Sequence, residues 1–151
     1  RVPSQILSFA STLLPLIAPA LRPATSLRTD AGSLAVVPCQ DLAAAVVSAC
    51  TEALADAGSV AVVTADSYRD EAGAALTAAG LPFGAAGEDE RLSLVPVTMV
   101  KGLEFDHVIV VEPASIVAAE ARGMQRLYVA LTRAVSRLTV LHSGELPETL
   151  R

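Results

Sequence analysis

Residues 100–106 carry side chains that could act on a phosphorylated ligand. The segment reads Val-Lys-Gly-Leu-Glu-Phe-Asp and lies between two predicted strands. Gly102 lets the backbone approach a ligand closely or adopt a positive φ, and the Glu104 carboxylate could accept hydrogen bonds from ribose hydroxyls. The alternative is a tight turn with a surface ion pair between Lys101 and Glu104. Because surface ion pairs are common and stabilise little, this segment by itself favours the turn.

A second segment, residues 126–134, places two arginines on one face of a predicted helix. At about 100° per residue, Arg126 and Arg133 lie about 20° apart on a helical wheel. They face away from an apolar stripe, which consists of Leu127, Leu131 and Val135. A guanidinium held on a rigid helix could bind a phosphate through two parallel hydrogen bonds. The alternative, a solvated arginine face, is favoured when this segment is considered by itself.

The composition indicates one folded domain with an aliphatic core. The chain has 151 residues, of which 52% are hydrophobic and 18% charged, and this excludes intrinsic disorder. Aromatic residues make up only 3%, so a stacking platform for nucleic-acid bases is excluded. The net charge of −5 and the pI of about 4.9 disfavour a broad basic DNA-binding face.

The sequence contains no self-contained phosphate or metal site. There is no Gly-x-x-x-x-Gly-Lys-Ser/Thr segment, so the chain cannot hold a triphosphate with its own P-loop. His107 and His142 have no partners at metal-ligand spacing, and we predict no metal site. The acidic run 88–90 does not follow an apolar strand, so we interpret it as a solvated loop.

Cysteine use and hydropathy bear on the cellular compartment. Cys39 and Cys50 are the only cysteines, and we expect buried, reduced thiols. The longest apolar stretch, residues 6–21, is too short to span a bilayer and is interrupted by Pro15 and Pro19. A secretory cleavage site is lacking at its end. We therefore expect a cytoplasmic protein with no membrane partner.

Periodicity and capping residues predict alternating strands and helices. The predicted strands are 34–38, 60–63, 92–97, 107–111 and 138–141. The predicted helices run from 3 to about 18, from a cap at 41 to a glycine at 58, from 66 to 79, and along the stripe 124–135. This order predicts an α/β fold with a mostly parallel sheet. Ligands of such sheets bind beyond the carboxyl ends of the strands.

Taken together, the two segments strongly resemble the fifth and sixth motifs of the UvrD/Rep-like superfamily 1 helicases. Lys-Gly-Leu-Glu-Phe-Asp is followed about 20 residues later by Leu-Tyr-Val-Ala-Leu-Thr-Arg-Ala. Residues 1–7 resemble the end of the fourth motif, and residues 60–83 resemble the family's strand–helix–Gly-Ile-Pro-Tyr stretch. The resemblance implies a single C-terminal RecA-like motor domain over residues 1–151, with helices on both sheet faces and no P-loop. We expect this chain to be a fragment of a larger protein.

The resemblance also implies roles for individual residues in an ATP-dependent DNA helicase. Arg133 and Arg1 match the arginines that reach the γ-phosphate of ATP, and Glu104 matches the glutamate that binds the ribose. Gly102 and Lys101 match the loop that couples the nucleotide cleft to the strand-binding track. The Mg²⁺ ligands and the P-loop would belong to an N-terminal RecA-like domain, which is the expected partner together with DNA.

The sequence departs from the family pattern at three places that bear on nucleic-acid binding. Thr98 stands where the family has a His near the strand, and Thr64 opens a Thr-Ala-Asp stretch in place of Arg-Ser/Thr-Asn. We treat Thr98 and Thr64 as candidate nucleic-acid-binding residues. Only residues 84–93 occupy the position of the large accessory subdomain.

These departures, with Val-Glu-Pro at 111–113, bring the chain closer to the HelD/helicase IV-like branch. Three functions stay open. The first is the motor half of a DNA helicase or translocase, and the second is the motor half of a factor that remodels RNA polymerase. The third is a non-catalytic RecA-like interaction domain.

Overall fold

Five parallel strands form the central sheet. The computed structural model describes residues 2–18 and 32–150. Over these ranges the strands are β1 (Ser33–Pro38), β2 (Val60–Thr64), β3 (Leu92–Pro96), β4 (Phe105–Val111) and β5 (Ala134–His142). They are ordered β1-β5-β4-β2-β3, and every pair is parallel. The predicted α/β fold with a parallel sheet is confirmed.

Helices cover both faces of this sheet. They are α1 (Ser4–Ser11), α2 (Leu14–Ile17), α3 (Leu42–Leu54), α4 (Arg69–Ala78), α5 (Pro113–Ala118) and α6 (Gly123–Leu131). Helices α1, α2, α5 and α6 pack on one face, and α3 and α4 pack on the other. Short 3₁₀ turns lie at Asp66–Tyr68, Val97–Met99 and Glu148–Leu150. This layering is the one expected of a RecA-like domain.

Strand β4 has the sequence expected of a parallel strand that is buried on both faces. Its sequence is a continuous run of apolar and β-branched residues from Val108 to Val111, which suits a strand covered on both sides. Val108 and Val110 pack under α1 and α6, whereas Ile109 and Val111 pack under α3. All four side chains are at most 1% exposed. The strand begins at Phe105, two residues before the predicted start.

The helix that carries the second segment ends earlier than predicted. Helix α6 stops at Leu131, and β5 begins at Ala134 rather than at 138. The Thr132 hydroxyl donates to the carbonyls of Tyr128 and Val129, both at 3.0 Å, and so satisfies acceptors that a further turn would have used. Because Arg133 lies beyond the helix, the predicted arginine face shared with Arg126 is wrong. Val135 belongs to the strand.

The predicted helix over residues 3–18 is two helices in the structure. Pro15 has no N–H to donate to the carbonyl of Ser11, so the ladder breaks there. The hydroxyl of Thr12 donates to the Phe9 carbonyl at 2.7 Å and closes the end of α1. Leu13, between the two helices, is fully buried and joins the core.

The two helices predicted for the second sheet face are present with shorter bounds, since α3 ends at Leu54 and α4 begins at Arg69 after a 3₁₀ turn. Asp41 caps α3 by accepting a hydrogen bond from the Ala44 amide at 3.1 Å. Cys50 on this helix is buried, Cys39 is partly exposed, and both are free thiols. Across residues 2–18 and 32–150, each helix is too short or too polar to cross a membrane.

Candidate functional site

The two segments singled out in the sequence meet at the amino ends of β4 and β5. The backbone N–H of Phe105 donates to the carbonyl of Arg133 at 3.0 Å, which joins the end of one segment to the end of the other. The connection from 97 to 104 starts at the carboxyl end of β3 and crosses to the amino end of β4. Glu104 therefore lies at the sheet edge opposite to the one that the general rule for parallel sheets predicts.

The Arg133 guanidinium is held in place by three hydrogen bonds. Nε donates to the Val129 carbonyl at 3.0 Å, one terminal nitrogen donates to the Leu103 carbonyl at 3.2 Å, and the other donates to the Thr132 hydroxyl at 3.4 Å. A cation at the carboxyl end of α6 is favourable because the free carbonyls there carry negative partial charge. An arginine has five N–H donors, so two stay available after these bonds.

Glu104 and Arg133 line one small cavity. Its volume is about 180 Å³, and its walls also include Val2, Thr132, Ala134 and Val135. Arg1, the other predicted phosphate-binding arginine, lies outside the described residues, but its neighbour Val2 is part of the wall. The structure thus brings Glu104 and Arg133 together from positions 29 residues apart, beside the start of the chain.

The other two residues of the first segment lie apart from this cavity. Gly102 has a φ of +83°, and a side chain at its position would meet no atom within 4 Å. The glycine at position 102 is therefore explained by its positive φ, which residues with a side chain rarely adopt, and not by a lack of space for a side chain. Lys101 is exposed and lines a separate cavity of about 210 Å³ with residues of α6. The structure does not place Lys101 beside Glu104 and Arg133.

The two threonines predicted to bind nucleic acid differ in exposure. Thr98 is exposed, and its hydroxyl donates to Asp66 at 2.7 Å, which ties the turn after β3 to the turn after β2. Thr64 is 0% exposed at the end of β2, and its hydroxyl has no hydrogen-bond partner within the described part of the chain. The side chain of Thr64 is therefore buried, and its contact with nucleic acid stays a prediction.

Two residues with unusual environments were not among the predicted site residues. Glu112 has a left-handed backbone, with a φ of +49°, and its carboxylate accepts from the Ser143 amide and hydroxyl at 2.7 Å each. These bonds tie together the loops that follow β4 and β5. The Glu-Pro step at 112–113 was the available signal, because a residue before proline has a restricted backbone.

His107 is the second of these residues. It is 8% exposed, and its Nε2 lies 2.9 Å from the Thr139 hydroxyl. Burial, and to a smaller extent the positive charge of Arg137, lower the pKa of His107 to about 4, against the opposing effect of the Asp56 carboxylate. The imidazole is therefore neutral at neutral pH. The apolar run of β4 is the signal in the sequence, since it places the ring in a covered strand.

Comparison with known proteins finds a family match over the part of the chain that contains both segments. Residues 92–141 match the UvrD-like helicase C-terminal domain family. This range contains Thr98, Lys101, Gly102, Glu104 and Arg133, so the resemblance drawn from the fifth and sixth motifs is confirmed over these residues. No curated protein matches the chain.

Solved structures share the fold. The C-terminal domain of a "possible DNA helicase" from Lactobacillus plantarum WCFS1 superposes with a TM-score of 0.75 at 22% identity, over 99% of this chain and 91% of that one. Arterivirus nonstructural protein 10, a helicase solved with DNA, gives 0.50 at 12% identity, over 97% of this chain. This chain spans 34% of that protein, and 33% in a second structure of it at 14% identity.

Proposed function

We propose that this chain is the C-terminal motor domain of a UvrD-like, ATP-dependent helicase or translocase. The cavity shared by Glu104 and Arg133 supports this proposal most directly. The match over residues 92–141 and the RecA-like fold agree with it. Such a motor works where ATP and nucleic acid are present, and we place it in the cytoplasm.

In this proposal the cavity is one wall of an ATP site that is shared with a second RecA-like domain. Because the sequence lacks a P-loop, the second domain supplies the phosphate-binding loop and the Mg²⁺ ligands. Glu104 accepts hydrogen bonds from the ribose. Arg133, with Arg1, directs positive charge at the γ-phosphate, where negative charge develops during phosphoryl transfer.

The hydrogen bonds of Arg133 suggest how nucleotide binding would move the chain. Its guanidinium already contacts the carbonyl of Leu103, next to Gly102. A phosphate that accepts hydrogen bonds from the two available N–H groups would move the Arg133 side chain, which also holds the 101–104 loop through the Leu103 carbonyl. This loop leads back to Thr98 at the opposite edge of the sheet. Closure of the cleft around ATP would therefore be transmitted to the proposed strand-binding edge.

A specific observation favours remodelling of RNA polymerase as the second candidate function. The connection between α4 and β3 is short, and Gly84 closes it by donating to Leu92 at 3.0 Å and accepting from Leu94 at 2.9 Å. The resemblance places a large accessory subdomain here in duplex-unwinding members. A motor without that subdomain at this position fits the HelD-like alternative, in which RNA polymerase supplies specificity.

ATP hydrolysis tests both candidates. The 151-residue chain alone should show negligible turnover, because half of the site is absent from it. When the chain is joined to its P-loop domain, turnover should appear and should rise on addition of the true partner. Single-stranded DNA, duplex DNA and RNA polymerase are added in turn. Robust turnover by the pure 151-residue chain that disappears in Arg133→Ala contradicts the shared site.

A further inference from the structure

The two edges of the sheet end differently. The outer edge of β3 is covered by Gly84, whose N–H donates to Leu92 at 3.0 Å and whose carbonyl accepts from Leu94 at 2.9 Å. Strand β1 forms the other edge, and within residues 2–18 and 32–150 it pairs only with β5. A strand that is paired on one side presents a row of backbone donors and acceptors on the other, and an extended chain can bind there.

The register shows which backbone groups of β1 point away from the sheet. In a parallel strand, the N–H and C=O of one residue point to the same side, and successive residues alternate. The amide of Cys39 donates to the His142 carbonyl at 2.9 Å, so the odd-numbered residues of β1 face β5. The N–H and C=O groups of Leu34 and Val36 therefore point outward. The part of the chain that the structure describes gives these groups no hydrogen-bond partner.

The side chains of β1 do not protect this edge. Edge strands are commonly protected by charged side chains or by proline within the strand. The sequence of β1 is Ser-Leu-Ala-Val-Val-Pro, which has no charged residue and has proline only at its last position. Val36 is 36% exposed and Val37 is 38% exposed, and as neighbours in a strand they lie on opposite faces of the sheet. The edge is therefore apolar on both faces.

A groove of about 560 Å³ adjoins β1 on the face that α3 covers. Small and apolar side chains of β1, β5 and α3 form most of its surface, and the neutral His107 also lines it. Two carboxylates lie at its α3 side. Asp56 is bound by Arg137 at 2.7 Å, whereas Glu52 is exposed and has no ion-pair partner among the described residues. The groove thus offers space for side chains and one uncompensated negative charge.

We propose that β1 binds an extended segment of a partner protein, which adds a strand to the sheet and directs a lysine or arginine toward Glu52. An extended peptide backbone matches the donors and acceptors of Leu34 and Val36. Every second side chain of that segment lies on the groove face, where a long cationic side chain suits Glu52. A second copy of this chain does not match that charge, because its own β1 carries no basic residue.

Amide hydrogen exchange followed by NMR tests the open edge in the 151-residue chain. Without a ligand, the amides of Leu34 and Val36 should exchange faster than those of Ala35 and Val37, which bond to β5. The probe is a fluorescein-labelled heptapeptide of alternating valine and lysine. At saturation it should slow exchange at Leu34 and Val36 by about tenfold or more.

Three exchange results overturn the proposal. One is slow exchange at Leu34 and Val36 in the peptide-free monomer, since the edge is then already covered by the chain itself. Another is that the peptide changes neither amide. The third is slow exchange that disappears on dilution of a dimer seen in sedimentation, which assigns the edge to a second copy.

N-methylation of the peptide separates backbone pairing from side-chain contact. One peptide is methylated at every valine amide, and another at every lysine amide. Because the N–H groups of alternate residues point to opposite sides of a strand, one of the two should lose at least about tenfold in affinity and the other should bind like the parent peptide. Fluorescence anisotropy measures both, and equal affinities overturn the added strand.

Variants of the chain test the two contacts separately. Val36→Pro removes one outward N–H but leaves the bonds of the neighbouring residues to β5. It should unfold in urea like its matched control Val36→Thr, and should bind the peptide about three- to tenfold more weakly. Glu52→Gln should weaken binding about two- to fivefold, whereas Glu88→Gln, in an exposed loop before β3, should not.

Equal affinities of Val36→Pro and Val36→Thr, or of Glu52→Gln and Glu88→Gln, overturn the corresponding contact. The exchange and methylation experiments use the unaltered chain, so they decide the matter even where Val36→Pro does not fold. None of these measurements involves ATP, so failure of the added strand is distinguishable from failure of the proposed motor function.

Discussion

His107 should make the stability of this domain depend on pH in a way that can be calculated. The folded state holds the pKa of His107 at about 4, whereas an unfolded histidine titrates near 6.5. Between these values the unfolded chain binds the proton and the folded chain does not, so stability falls as the pH is lowered from about 6.5 to about 4. The linkage relation gives a loss of about 2 kcal/mol between pH 8 and pH 5.

Urea denaturation at the two pH values measures this loss. Carboxylates also titrate in this range, so His107→Gln serves as the reference, because its amide can keep the bond to Thr139 without titrating. The wild type should lose about 2 kcal/mol more than the variant between pH 8 and pH 5. The ring signals of His107 in NMR should still report a neutral imidazole at pH 5. Equal losses in the two proteins, or a ring that titrates near 6.5, would contradict a buried and neutral His107 in the folded state.

Three further predictions concern single positions. Gly123→Ala places a Cβ against the backbone of α5 and should lower the free energy of unfolding by about 3 kcal/mol or more. Gly102→Ala meets only an unfavourable φ and should lower it by about 1–2 kcal/mol. Chemical denaturation measures both losses, and a larger loss in Gly102→Ala would contradict the packing. Burial raises the pKa of Cys50 to about 12, so iodoacetamide at pH 8 should modify Cys39 first, and mass spectrometry showing equal rates would refute this. In the protein joined to its P-loop domain, Glu104→Ala should weaken ATP binding about tenfold in equilibrium titration, and Glu104→Gln should restore part of the affinity. An unchanged affinity in Glu104→Ala would exclude the ribose contact.

Local chemistry allowed much of the fold to be predicted from the sequence. The β-branched run of β4 and the Asp41 cap of α3 act through neighbours in the chain, and both are found where the sequence places them. The helix boundaries were predicted wrongly where a side chain replaces or removes a backbone hydrogen bond. Thr132 ends α6 through its hydroxyl, and Pro15 divides the first helix. Helix α5, which follows the left-handed Glu112, has only six residues and is too short to give a periodic pattern.

The site was less accessible to sequence reasoning, because it depends on which ends of the strands meet. Residue type and the family resemblance marked Glu104 and Arg133 as candidates, but their shared cavity follows from the pairing of β4 with β5. Thr64 was chosen at a position where the sequence departs from the family motif, and in the structure it pairs with Pro96 of β3 and is completely buried.

We propose that Arg133 acts on the phosphoryl group of ATP at a site shared between two domains. Single-turnover hydrolysis and equilibrium ATP binding by the joined protein test it, with Arg69→Ala as a control of equal charge change. Arg133→Ala should lower the hydrolysis rate by about 10³-fold or more while ATP affinity changes by less than about tenfold, because the guanidinium acts mainly in the transition state. A hydrolysis rate in Arg133→Ala equal to that of the control would contradict the shared site.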